Sequence, residues 1–97
     1  MFSDYFNIDE VKLSIVSDEA HERLLEKARF WVGCQRESGK RDSEIVSYCQ
    51  EQTTRVRGER ASLLKEKGLR GVSLDELGTY SAEVMFYEYA EYSTVHL

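Results

Sequence analysis

Proline is absent from all 97 residues. No helix is therefore broken by that residue, and slow prolyl isomerisation cannot limit folding. Two cysteines are too few for a secreted disulfide scaffold or a zinc cluster. Only two histidines are present, so a Ser/His/Asp triad or a Cys/His pair needs a free choice among the serines. His21 and Glu22 begin like a zinc-protease motif, but Leu25 stands where the second histidine is required. The six glycines never cluster into a phosphate loop. No apolar run approaches the roughly 20 residues of a membrane span. The opening Met1, Phe2, Ser3 and Asp4 lack the basic start and apolar stretch of a signal peptide. These absences lead us to expect a cytoplasmic protein that is not an enzyme and that carries no metal or cofactor.

Ordinary apolar content with 32% charged residues indicates a folded chain, and 97 residues make one domain. Its charge is segregated. Residues 1–30 sum to −3 and residues 31–70 to +3, while residues 71–97 carry five acids and no lysine or arginine, giving the overall −5.

A helical pair over residues 18–67 organises the chain, broken at Glu37, Ser38, Gly39, Lys40, Arg41 and Asp42. Ser17 can cap the first arm, with Asp18, Glu19 and Glu22 complementing the helix dipole. Leu24, Leu25, Ala28, Trp31, Val32 and Gln35 then follow at helical spacing. In the second arm Ile45, Val46, Cys49, Val56, Leu63 and Leu64 form a narrower seam, with Cys49, Val56 and Leu63 seven residues apart. Gly58 inside that arm suggests a kink or a close backbone contact. Gly68 suits the closing position, and Leu69 is placed to pack back on the last turn. Cys34 and Cys49 fall at similar heights, but helix axes about 8–10 Å apart and divergent directions argue for free, largely buried thiols.

The flanks read less clearly. Near the N-terminus are Phe2, Tyr5, Phe6, Ile8, Val11, Leu13, Ile15 and Val16. Val11, Leu13 and Ile15 alternate as in a strand, whereas Asn7 with Glu10 and the spacing of Ile8, Val11 and Ile15 suit a helix. Ser73 with Glu76 forms a capping box for a third element, followed by Leu74, Leu77, Tyr80, Val84 and Tyr87 at helical spacing. Beyond Val84 the aromatics point in several directions. Gly78 offers an early stop, and residues 93–97 are expected to fray. The expected fold is mainly α: an antiparallel helical hairpin, a third C-terminal helix running to about Tyr92, and an N-terminal arm. The alternative is α+β, with residues 11–16 and part of 80–95 as strands.

Two surfaces are candidates for function. The first is an acidic, tyrosine-rich face of Tyr80, Glu83, Tyr87, Glu88, Tyr89, Glu91 and Tyr92, with Asp75 and Glu76 leading into it. Its carboxylates imitate a phosphate track, and tyrosine gives large contact area with few rotors, so it suits a basic protein surface. The second is the basic row Arg55, Arg57 and Arg60, which fits a nucleic-acid backbone but is interleaved with Glu51, Glu59 and Glu66.

Small size, one acidic domain and no catalytic motif resemble the accessory proteins that phages and other mobile elements use against host enzymes. The resemblance is one of composition. It implies a modulator or inhibitor that docks on a larger, nucleic-acid-handling protein, with nucleic acid and membrane disfavoured as partners. Two alternatives stand beside it. One is a small DNA- or RNA-binding regulator, dimerising through the Cys49, Val56 and Leu63 seam. The other is an obligate subunit of a larger assembly.

Overall fold

The computed structural model describes residues 5–96, so Phe2 and Leu97 lie outside the described residues. Among the described residues four α-helices make up the fold: α1 (Ile8–Ser14), α2 (Asp18–Glu37), α3 (Asp42–Lys67) and α4 (Leu74–His96), with a 3-10 turn at Leu69–Gly71 before the last. No strand occurs among the described residues, which removes the α+β alternative. None of their helices is long and apolar enough to cross a membrane.

The helix starts follow from local chemistry. Asn7 Oδ1 accepts the Glu10 amide at 2.8 Å, which opens α1 and decides residues 8–14 for helix. The alternating Leu13 and Ile15 then point outward, while Ile8 and Val11 are half-buried. Ser17 Oγ accepts the Ala20 amide at 3.3 Å. Ser73 Oγ accepts the Glu76 amide, and the Glu76 carboxylate accepts the Ser73 amide in return. Gly39 at φ 95° and Gly68 at φ 72° turn the chain at the ends of α2 and α3.

The helical hairpin forms as expected, but α2 and α3 touch each other far less than each touches α4. Helix α4 packs along α3 and across α2, and α1 rests on both α2 and α4. On α2 the buried side chains are Ala20, Leu24, Ala28 and Val32, a stripe repeating every fourth residue. On α3 they are Ile45, Cys49, Thr53 and Val56. These two stripes close on α4, where Ala82, Phe86, Tyr87, Ala90, Ser93 and Thr94 are all buried. Phe86 sits at the hub. Its ring lies 5.6 Å from Tyr5, 5.3 Å from Phe6, 5.4 Å from Trp31 and 5.1 Å from Tyr87.

Several local expectations are corrected. Helix α4 passes through Gly78, where an added Cβ would meet Ile8 at an ordinary 3.6 Å, so the glycine does not stop the helix. The end of the chain does not fray before His96, because Ser93 and Thr94 are buried and Arg36 donates to the Thr94 carbonyl. Gly58 faces open space, and α3 continues through it without a close neighbour. Leu69 is exposed and does not fold back on α3. Cys34 and Cys49 are free thiols, as expected, the first half-buried and the second buried. Burial, and then the nearby Glu91, push the Cys49 thiol up to about 12, leaving it protonated and inert at neutral pH.

Replacing the hub should be costly. Phe86→Ala is expected to lower the unfolding free energy by about 3–5 kcal/mol, whereas Phe30→Ala, at a ring 64% exposed, should change it by less than about 0.5 kcal/mol. Urea titration followed by far-UV circular dichroism measures both; equal effects would contradict this core.

Candidate functional site

The acidic and basic candidate surfaces face each other. Arg55 Nη2 donates to Glu83 Oε1 at 2.7 Å, Arg57 Nη2 to Glu88 Oε1 at 2.5 Å, and Gln50 Nε2 to Glu91 Oε1 at 2.8 Å. Arg55 also reaches Glu59 at 3.0 Å, and these carboxylates hold its guanidinium above its ordinary pKa. Two of the five acids of the C-terminal segment are therefore paired with two arginines of the middle segment along the α3–α4 seam, and a third accepts from Gln50.

The tyrosines divide in the same way. Tyr87 belongs to the core, where burial and then Tyr48 raise its pKa. Tyr89 is half-buried, and its hydroxyl lies 3.0 Å from His21 Nδ1. Tyr80 is half-buried. Tyr92 is exposed beside His96, with ring centres 4.4 Å apart. The seven acidic and aromatic residues thus do not share one open face. Of the basic row, Arg60 alone makes no ion pair among the described residues. Cys49 and Val56 are fully buried within the chain, so the seam once available for dimerisation is already occupied.

Two other features of the surface stand open. One is a groove of about 530 Å³ between α2 and α3, on the side that receives no residue from α4. Its walls carry Trp31, Ile45 and Tyr48, with the Trp31 and Tyr48 rings 6.1 Å apart and inclined by only 28°. Gln35 and Ser47 add hydrogen-bonding groups, and Lys40, Glu44 and Glu51 supply the charge. Glu44 accepts from the Arg41 amide at 3.2 Å and from its Nε at 3.1 Å, which keeps this carboxyl below its usual range. Glu51 makes no ion pair among the described residues.

Helical spacing places Trp31 on the core face, against which it packs, and does not single out Tyr48. The signal available was their equal distance on either side of the turn centred between Gly39 and Lys40, together with Glu44, Tyr48 and Glu51 at i, i+4 and i+7.

The second feature lies where α1 ends and α4 begins. Lys12 Nζ comes within 3.7 Å of Asp75 Oδ1, which brings the turn after α1 and the start of α4 to the same side of the molecule. Ile15, Val16 and Leu74 are there 79%, 83% and 84% exposed. Asp18, Glu19, Asp75 and Glu76, also exposed, follow them directly in the chain.

Among the described residues no group of three His, Cys, Asp or Glu side chains is arranged to hold a metal ion. Comparison of the chain with protein-family models, with curated proteins and with solved structures found no match.

The seam can be weighed pair by pair. A double-mutant cycle on Arg55 and Glu83, whose carboxylate side chain is 14% exposed, should give a coupling of about 1 kcal/mol or more. The same cycle on Arg57 and Glu88 (48% exposed) should give less than about 0.5 kcal/mol. Denaturation of the four variants of each set measures these; two couplings near zero would contradict a structural role for the seam.

Proposed function

We propose that this chain is a non-enzymatic binding protein that docks on a larger protein and changes its activity. The target of this reading is the basic surface of a nucleic-acid-handling protein. The observation that supports it is the exposure of Ile15, Val16 and Leu74, near in sequence to the exposed Asp18, Glu19, Asp75 and Glu76, on two elements that the Lys12–Asp75 pair brings together. These side chains lie outside the buried core. An apolar centre with a charged rim is the anatomy of a contact surface, and an acidic rim favours a basic partner.

This reading places the working contact at the start of α4, while Glu83, Glu88 and Glu91 stabilise the protein's own α3. Direct nucleic-acid binding has less support, because Arg55 and Arg57 already hold carboxylates and the chain carries a net charge of −5. An obligate subunit would present the same surface, and differs in being insoluble or unfolded when expressed alone.

Site-specific photocrosslinking in the native host separates these readings. A photoreactive residue at position 15 or 74 should join a single larger protein, and one at the exposed Ser62 of α3 should not. Leu74→Glu, expected to alter stability by less than about 0.5 kcal/mol, should abolish both the adduct and the effect on the target's activity. Equal adducts from all three positions, or a target whose activity is indifferent to the protein, would contradict the proposal.

A further inference from the structure

The groove between α2 and α3 has a chemistry that the docking surface does not use. Two nearly parallel aromatic rings, Trp31 and Tyr48, stand in it. They are fixed from behind, since Tyr87 meets Tyr48 edge-on at 5.9 Å and Trp31 at 6.4 Å, and Phe86 meets Trp31 at 5.4 Å. Those inner rings belong to the buried core, so the outer pair is held in place before any ligand arrives. Preorganised rings give up little conformational freedom on binding.

The charges are graded along the groove. Lys40 lies at the turn end, Glu44 one turn into α3, and Glu51 two turns farther on. Glu44 is engaged by Arg41. Glu51 is one turn beyond Tyr48 and has no cation of its own among the described residues, so the Tyr48 end of the groove is the end that favours positive charge. A ligand suited to that end must be flat enough to lie on an aromatic face and must donate to a carboxylate. A guanidinium does both, stacking on rings and presenting paired N–H groups to an acid. An ammonium offers only a strongly hydrated point charge, and an anion meets Glu44 and Glu51.

We propose that this groove binds an arginine side chain of a partner protein, its guanidinium against the Tyr48 and Trp31 rings and its N–H groups on Glu51. The ligand chemistry is argued from the groove alone. Only the identity of the protein carrying the arginine rests on the docking reading.

Trp31 is the sole tryptophan, so its fluorescence and its indole resonance report on this groove directly. The experiment titrates the intact protein with three capped tripeptides, glycine-X-glycine with X arginine, lysine or citrulline. Citrulline keeps the shape of arginine and removes its charge. The arginine peptide should bind saturably with a millimolar constant, the lysine peptide about threefold or more weakly, and the citrulline peptide about tenfold or more weakly. Tyr48→Ala and Glu51→Gln should each weaken arginine binding about threefold or more, with thermal denaturation confirming that the exposed substitutions leave the fold intact. The proposal is overturned by no saturable change up to about 20 mM. It is equally overturned by lysine or citrulline binding as well as arginine, or by a folded variant of either residue that binds like the parent. None of these outcomes touches the crosslinks at positions 15 and 74, so failure here leaves the docking surface to stand or fall by itself.

Discussion

The arrangement depends on the burial of one helix, α4, against three others. Neither arm of the hairpin could close the core alone. The α2 stripe alternates small and medium side chains, in the order Ala20, Leu24, Ala28 and Val32, and the α3 stripe ends at Val56 about halfway along the helix. Large volume comes instead from Phe86 and Tyr87, with Phe6 on the short segment before α1. The alanines make close crossing possible, and the aromatics fill what remains. A 26-residue helix is about 39 Å long, close to the 43 Å longest dimension of the molecule, so α3 runs nearly its full length with its outer face in solvent.

Placing α4 at the centre determines which surfaces are left. Glu83 and Glu88 lie against α3, and there they pair with Arg55 and Arg57 of the arginine row. The two charge blocks that look like separate functional faces are thereby turned into an internal brace. Such pairs at the surface stabilise modestly and set register and orientation more than they add free energy. With α4 occupying one side of the hairpin, the opposite side stays open as the Trp31 and Tyr48 groove. The start of α4, together with the turn after α1, leaves Ile15, Val16 and Leu74 in water.

Much of this was legible in the residues. Ser17, Asn7, Ser73 with Glu76, and Gly68 each mark a helix boundary through an interaction that involves only neighbouring residues, and all are found in place. What could not be read depends on contacts distant in sequence. Helix α4 shows no clean stripe because it is covered from several sides, and a helix buried in this way loses the periodicity that marks an amphipathic one. In the strand-like alternation of Val11, Leu13 and Ile15, only Val11 packs on the core, while Leu13 and Ile15 are left exposed on and after a helix. Charge segregation was visible, but composition cannot say whether opposite blocks meet another molecule or each other. The aromatic groove required knowing that Trp31 and Tyr48 face one another across the turn.

Native-state hydrogen exchange resolved by residue tests most directly whether α4 is the element on which the core is built. The amides of residues 86–90 should exchange only through global unfolding, at least as slowly as those around Val32 and Cys49. Exchange of α4 through a partial opening, while the α2 and α3 amides stay protected, would mean that the hairpin stands without it and would contradict this description of the fold.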